Sequence, residues 1–157
     1  MPTDTRGVHI WLVMVKAFHA VNGYAAHSFQ SHGLGDSDFR VLEVLLHKGP
    51  LPVNTIGPKV FLTPGSISIA VDRLYEKGLV TRMESGTDRR VRVVSLTPKG
   101  RDLISTMFSV HAKDMEKLVK ILTPTERVQL VNALKKLGKH AAEFAAHNCS
   151  QSPNRTS

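Results

Sequence analysis

The chain has little of what disulfide-rich, cysteine-ligated zinc or membrane proteins contain. Its 157 residues include one cysteine, Cys149, which rules out a disulfide framework and a zinc motif built from paired cysteines. The apolar stretch Val8–Val15 is too short to cross a bilayer, which needs about 20 residues. No secretory pattern opens the chain. We therefore expect a cytoplasmic protein without a membrane segment.

Acidic residues are also scarce. Aspartate and glutamate number 13 against 21 lysines and arginines, which gives a formal net charge of +8 and a pI near 9.9. This balance favours a polyanionic partner and association that weakens with salt. Many unrelated small proteins are basic, so the charge alone does not identify the partner. An apolar content of 41% over this length is ordinary for one globular domain.

Three Thr-Pro pairs mark helix starts, at Thr63-Pro64, Thr97-Pro98 and Thr123-Pro124. Threonine can cap a helix while proline occupies the first helical position, where its missing N–H costs nothing. The third pair continues to Glu126, which has the spacing of a capping box. Each pair precedes a run in which apolar residues recur at three- and four-residue steps.

These signals predict a mainly α-helical protein with one small β-hairpin. The first helix contains a single charged residue, Lys16, so most of its circumference needs cover, and a second subunit could supply it. Pro58 is expected to break or bend the third helix. The predicted helices cover His9–Ser31, Ser37–Lys48, Val53–Val60, Thr63–Gly78, Pro98–Leu122 and Pro124–His147, and the predicted strands cover Leu79–Glu84 and Val91–Leu96.

The hairpin and the helix before it carry most of the functional information. Arg89, Arg90 and Arg92 crowd one side of the turn between the two strands. A helix followed directly by a basic hairpin can place the helix in the major groove and the arginines along a phosphate backbone or minor groove. This layout predicts binding to double-stranded DNA.

The fourth helix separates into two faces on a helical wheel. Its apolar stripe faces the core, whereas the opposite face is small and polar except for Ile69, which can contact a thymine methyl group. Arg73 has two interpretations, a phosphate contact or a structural ion pair. The predicted core stripe is Ile67, Ala70, Val71 and Leu74, and the predicted DNA contacts are Thr63, Gly65, Ser66, Ser68, Ile69, Arg73, Arg89, Arg90 and Arg92.

Several segments together resemble the winged-helix core of MarR-type transcriptional regulators. They are Leu62–Ser68, Asp72–Val80, Asp88-Arg89-Arg90 and Leu96–Gly100. The resemblance implies a homodimer built from the first, fifth and sixth helices that binds a pseudo-palindromic operator. It also implies repression relieved by a small ligand. The expected organisation is a dimerisation helix over 1–32, a winged helix-turn-helix core over 33–100, dimerisation helices over 101–148 and a disordered tail over 149–157.

The family's usual ligand pocket lies between the DNA-reading core and the dimerisation helices. Candidate contacts for a phenolic or aromatic effector are therefore His19, Asn22 and His111, polar residues on or near apolar helix stripes. A buried polar group satisfied by the protein itself is the alternative for each.

Metal and cofactor sites are weakly indicated. Glu43/His47 and His111/Asp114 have spacings that place each pair on one helix face, but no compact His-x-x-x-His motif is present. We therefore assign no metal site and no cofactor. A zinc-responsive or effector-independent regulator of the same fold remains the alternative.

Two other classes of protein compete with this interpretation. The sequence has no glycine-rich phosphate loop and no nucleophile elbow, which argues against an enzyme. A winged helix used only for protein–protein contact is the second rival, and the hairpin arginines argue against it. The sequence therefore predicts a homodimeric, ligand-responsive repressor.

Overall fold

The computed structural model describes residues 5–30, 32–84 and 92–150. All six predicted helices and both predicted strands are present, with ends that differ by at most three residues from the prediction. A third strand of two residues was not predicted. In chain order the elements are α1 (Arg6–Gln30), α2 (Asp36–Lys48), β1 (Leu51–Pro52), α3 (Val53–Val60), α4 (Pro64–Glu76), β2 (Val80–Glu84), β3 (Arg92–Leu96), α5 (Pro98–Val119) and α6 (Pro124–Ser150).

The three strands form an antiparallel sheet in the order β1-β3-β2. Strand β3 is central, and Val94 pairs with Leu51 on one side and with Arg82 on the other. Val94 is fully buried and Val93 is partly buried, so both faces of the strand are at least partly covered, since adjacent side chains point to opposite faces. Strand β1 was not predicted because it has only two residues and one of them is Pro52, a residue type that is uncommon in strands.

The core of the fold lies between α2, α3, α4, the sheet and the first half of α5. The predicted apolar stripe of α4 is confirmed, since each of its four residues is no more than 3% exposed. The largest fully buried apolar side chains are contributed by five helices and strands besides α4: Val41, Leu42, Leu45, Ile56, Val80, Val94, Ile104 and Met107.

Helix α3 runs without interruption from Val53 to Val60, so the predicted break at Pro58 is wrong. The proline deprives the carbonyl of Asn54 of its helical donor. Both residues lie on the exposed side of the helix, where water can satisfy that carbonyl. The other side of α3 places Ile56 and Val60 in the core.

Contacts divide the chain into two compact units, Met1–Met115 and Glu116–Ser157. In the second unit the predicted capping box is present: the Thr123 N–H and hydroxyl both donate to Glu126 Oε2 at 2.8 Å. These hydrogen bonds lower the pKa of Glu126. None of the helices in the described part of the chain combines the length and hydropathy needed to cross a membrane.

The start of α5 is packed tightly against the end of α4. Thr97 Oγ1 accepts a hydrogen bond from the Gly100 N–H at 3.0 Å and donates one to the Gly78 carbonyl at 2.8 Å. The Thr97 N–H donates to the Leu79 carbonyl at 3.1 Å. A Cβ on Gly100 would lie 1.9 Å from that same carbonyl oxygen, so this position has no room for a side chain.

We expect Gly100→Ala to destabilise the fold by about 2 kcal/mol or more, because the Leu79 carbonyl is held by Thr97 and cannot move away. Urea unfolding measures the change. Gly65→Ala is the matched control, since Gly65 is also helical but has open space around its Cβ position. That variant should keep or slightly raise stability. Equal stability of Gly100→Ala and the parent would contradict the packing described here.

Candidate nucleic-acid interface

The first turn of α4 is exposed and capped by its own hydroxyls. Thr63 is the N-cap, and its Oγ1 accepts a hydrogen bond from the Ser66 N–H at 3.2 Å and donates to Ser66 Oγ at 2.9 Å. Ser68 donates to the Pro64 carbonyl at 3.0 Å. These residues and Gly65 are all exposed. The helix therefore presents a surface of small groups and hydroxyls that a duplex can approach closely.

Ile69 lies on the same exposed surface, two turns into the helix. Its side chain is 58% exposed, although apolar side chains on a single-chain fold gain stability when they are buried. Ile69 therefore takes no part in the core that the apolar stripe of α4 enters. Its contact with a thymine methyl group stays a prediction.

Arg73 forms an ion pair with a buried carboxylate on α2. Its Nη2 lies 2.6 Å from Asp38 Oδ1 and 3.0 Å from Ser37 Oγ, and its Nε donates to Asp38 Oδ1 at 3.2 Å. Asp38 is 2% exposed, and its hydrogen bond raises the pKa of Arg73. Of the two roles considered for Arg73, the structural ion pair is present, and it joins α2 to α4. A phosphate contact by the same side chain stays a prediction.

Arg82 connects the hairpin to α4 and was not singled out from the sequence. Its guanidinium pairs with the carboxylate of Asp72 and lies 4.2 Å from the centre of the Tyr75 ring. Arg82 lies on the same face of β2 as the buried Val80, because alternate residues of a strand share a face. This alternation is the sequence pattern that could have predicted that Arg82 faces the protein. An arginine bound to a carboxylate and an aromatic ring of α4 keeps β2 close to that helix, which we call the reading helix because it is the predicted DNA-contacting helix.

A groove of about 700 Å³ separates α3 and α4 from the hairpin strands. Ser68, Arg82 and Arg92 line it together with apolar side chains of α3 and α4. Arg92 is exposed at the start of β3. The predicted contacts Arg89 and Arg90 lie outside the described residues. The structure therefore brings one hairpin arginine and the reading helix to a common groove.

The three candidate effector contacts have different environments. His19 is exposed on α1, and Asn22, on the same helix, is half-buried. Asn22 Oδ1 accepts a hydrogen bond of 3.4 Å from Arg40, which also pairs with Asp36 at 2.8 Å and donates to the Val60 carbonyl at 3.4 Å. For Asn22 the alternative to an effector contact is therefore present, since its side chain forms a hydrogen bond within the protein.

His111 differs, because its Nδ1 is buried and has no hydrogen-bond partner among the residues that the structure describes. The imidazole lies 5.1 Å from the Phe39 ring and 6.4 Å from the Phe29 ring, measured between centroids, and the two phenylalanines stack at 4.7 Å. One helical turn further on, Asp114 accepts a hydrogen bond of 3.3 Å from the buried Ser28. A buried ring nitrogen without a partner is unusual and marks a place where a polar group can be added.

The zinc alternative gains no support from the geometry. The His47 ring packs edge-on against Phe108, with centroids 4.7 Å apart. Within residues 5–30, 32–84 and 92–150, no three His, Cys, Asp or Glu side chains come together in a way that could hold a metal ion.

A helix-turn-helix whose second helix is open along a polar face, followed by a β-hairpin, defines a winged-helix protein. Many DNA-binding transcriptional regulators have this architecture. The chain belongs to the MarR family, whose family model matches residues 32–91. It is 35% identical over 143 residues to the HTH-type transcriptional regulator MhqR of Bacillus subtilis, covering 91% of this chain and 97% of MhqR. It is therefore a MarR-family transcriptional regulator.

Solved structures have the same fold. The regulator BldR of Sulfolobus solfataricus matches with a TM-score of 0.77 at 23% identity, covering 89% of this chain and 99% of BldR. BpsR of Bordetella bronchiseptica, whose DNA binding is regulated by 6-hydroxynicotinic acid, matches with a TM-score of 0.71 at 23% identity. That match covers 83% of this chain and 98% of BpsR. At these identities the likeness establishes the fold and no more.

We expect Arg82→Ala to release the hairpin from α4, because Arg82 is bound to both Asp72 and Tyr75. Backbone amides of β2 and β3 should exchange hydrogen faster in this variant, and affinity for duplex DNA should fall. Arg92→Ala is the control, since it removes an equal charge from the groove without removing a contact to α4. If exchange in β2 and β3 is the same in both variants, Arg82 does not hold the hairpin in place.

Proposed function

We propose that this regulator is a homodimeric, sequence-specific repressor that binds a pseudo-palindromic operator and leaves it when a small phenolic or aromatic ligand binds. The main support for DNA binding is the exposed first turn of α4, which lies beside the groove that Arg92 lines. Small residues and hydroxyls suit close approach to base edges, and the arginine suits a phosphate. Since DNA is the partner, we also place the protein in the cytoplasm.

The dimer is supported by apolar side chains that one protomer leaves exposed. On α1, Trp11 is 58% exposed and Phe18 is 68% exposed. On α6, Val128 and Phe144 are each 60% exposed. Runs of exposed large apolar residues on two long helices are typical of surfaces that a partner subunit covers. A dimer would also present two reading helices, which a two-fold operator requires.

The effector part is supported by His111. A phenol or an aromatic acid offers a hydroxyl or carboxylate to the unpaired Nδ1 and a ring to Phe29 and Phe39. The relative BpsR is regulated by an aromatic acid, which supports screening that class of ligand first. Asn22 and His19 remain candidate contacts on α1.

The DNA-binding proposal is tested by titrating salt against affinity for two duplexes. One carries the DNA flanking this protein's own gene, and the other is a scrambled duplex of equal length. We expect tighter binding to the native duplex that persists as salt rises. Arg92→Ala should reduce the magnitude of the slope of log K against log salt by about 1.8 for the dimer, since each protomer loses one phosphate contact worth about 0.9.

Lys136→Ala removes the same charge from α6, a helix that contributes no residue to the proposed interface, and should leave that slope unchanged. Equal binding to both duplexes at every salt concentration would contradict sequence-specific recognition of this DNA. A failure to bind either duplex at low salt would favour a winged helix used for protein–protein contact. Sedimentation of the unliganded protein measures the dimer independently.

We expect His111→Leu to keep operator binding and to lose the response to ligand. Leucine fills the space that the imidazole occupies beside the two phenylalanines but offers no group to a ligand hydroxyl or carboxylate. The measurement is ligand-induced release of the native duplex, with 6-hydroxynicotinic acid, salicylate and phenols as the first probes. His9→Leu, which changes an exposed histidine near the start of α1 that is not a candidate effector contact, is the control. Full release of both variants by the same ligand would contradict a role for His111.

A further inference from the structure

Phe61, in the turn between α3 and α4, has an unusual backbone. Its φ of 56° and ψ of 43° lie in the left-handed region, and it is the one non-glycine residue with positive φ among the described residues. The turn requires this conformation, because the N–H groups of Phe61 and Leu62 both donate to the Gly57 carbonyl at the end of α3. Glycine is the residue that ordinarily closes a helix in this way without strain. A bulky side chain here opposes folding.

The side chain of Phe61 does not compensate for that strain. It is 89% exposed, so the ring gains almost nothing from burial. Both the backbone and the side chain of Phe61 are thus unfavourable in the isolated protein. Strain of this kind is concentrated at functional sites, where an outside partner makes use of it.

The position of Phe61 in the fold indicates what kind of partner would contact it. It comes two residues before the N-cap of the reading helix, and it lines the groove whose hairpin side carries Arg82 and Arg92. Arg82 is paired with Asp72, which also lines the groove, so the exposed guanidinium of Arg92 is the one that can meet a phosphate. Apolar surface beside such a guanidinium matches a sugar-phosphate backbone, which alternates apolar deoxyribose faces with phosphates. The chain's net charge of +8 favours the same polyanion.

We infer that Phe61 packs against a deoxyribose of the DNA strand that passes along this groove, and that it is a further DNA-contacting residue. This inference rests on the proposed DNA-binding function. A contact with a sugar does not depend on the base, and a neutral ring releases no counterions. Phe61 therefore contributes equally to operator and random DNA at every salt concentration, unlike Ile69 and Arg92.

The test is Phe61→Gly, which relieves the backbone strain and removes the ring together. We expect its melting temperature to equal or exceed that of the parent, by up to about 4 °C. We expect its affinity to fall about tenfold on both the native and the scrambled duplex, with an unchanged salt slope. Phe61→Leu keeps an apolar side chain in the same conformation and should lose less affinity. If Phe61→Gly does not fold, Phe61→Asn provides the same test, since asparagine tolerates this conformation.

Ile121→Ser is the matched control, because Ile121 is 87% exposed in the turn between α5 and α6. It should leave DNA binding unchanged. If the parent protein binds DNA and Phe61→Gly binds equally well, the inference is wrong and the proposed function stands. If the parent protein binds no duplex, both the inference and the proposed DNA-binding function are wrong. If Phe61→Gly keeps DNA affinity but loses the response to an aromatic ligand, the groove binds the effector instead, and the inference is overturned.

Discussion

Helix α4 contributes one face to the hydrophobic core and leaves the opposite face exposed to solvent, and the rest of the fold packs against the buried face. Four of its side chains are buried, and the residues between them face solvent. Removing that apolar stripe from water holds α2, α3 and β2 against the helix. The exposed face then stays available for a ligand as large as a duplex without any loss of core packing.

Arginine is used in two ways in this protein. Arg40, Arg73 and Arg82 are each bound to a carboxylate and to a second group of the protein, and each joins two or more elements. Arg92, in contrast, lies exposed in the groove. The formal charge of +8 is therefore a poor measure of the charge available to DNA, since part of the basic content supports the fold.

Local signals predicted the helices well because α4, α5 and α6 each begin at a threonine cap and the helices carry periodic apolar stripes. The Thr-Pro pairs and the α4 stripe depend only on neighbouring residues, so sequence alone could find them. Strand β1 and the Asp72–Arg82 link depend on residues distant in the chain, and no local pattern records such pairing. The break expected at Pro58 was wrong because propensity says nothing about which side of a helix faces water. The left-handed Phe61 was missed because nothing in its neighbours requires that conformation of a phenylalanine.

The three contacts of Arg40 have a mechanical consequence. This side chain holds Asn22 of α1, Asp36 of its own helix and the last carbonyl of α3, one residue before Phe61. A displacement of α1 must either break the Asn22 contact or pull on the end of α3. Movement of α1, which contributes no residue to the groove, thus has a route only a few bonds long to the turn that precedes α4.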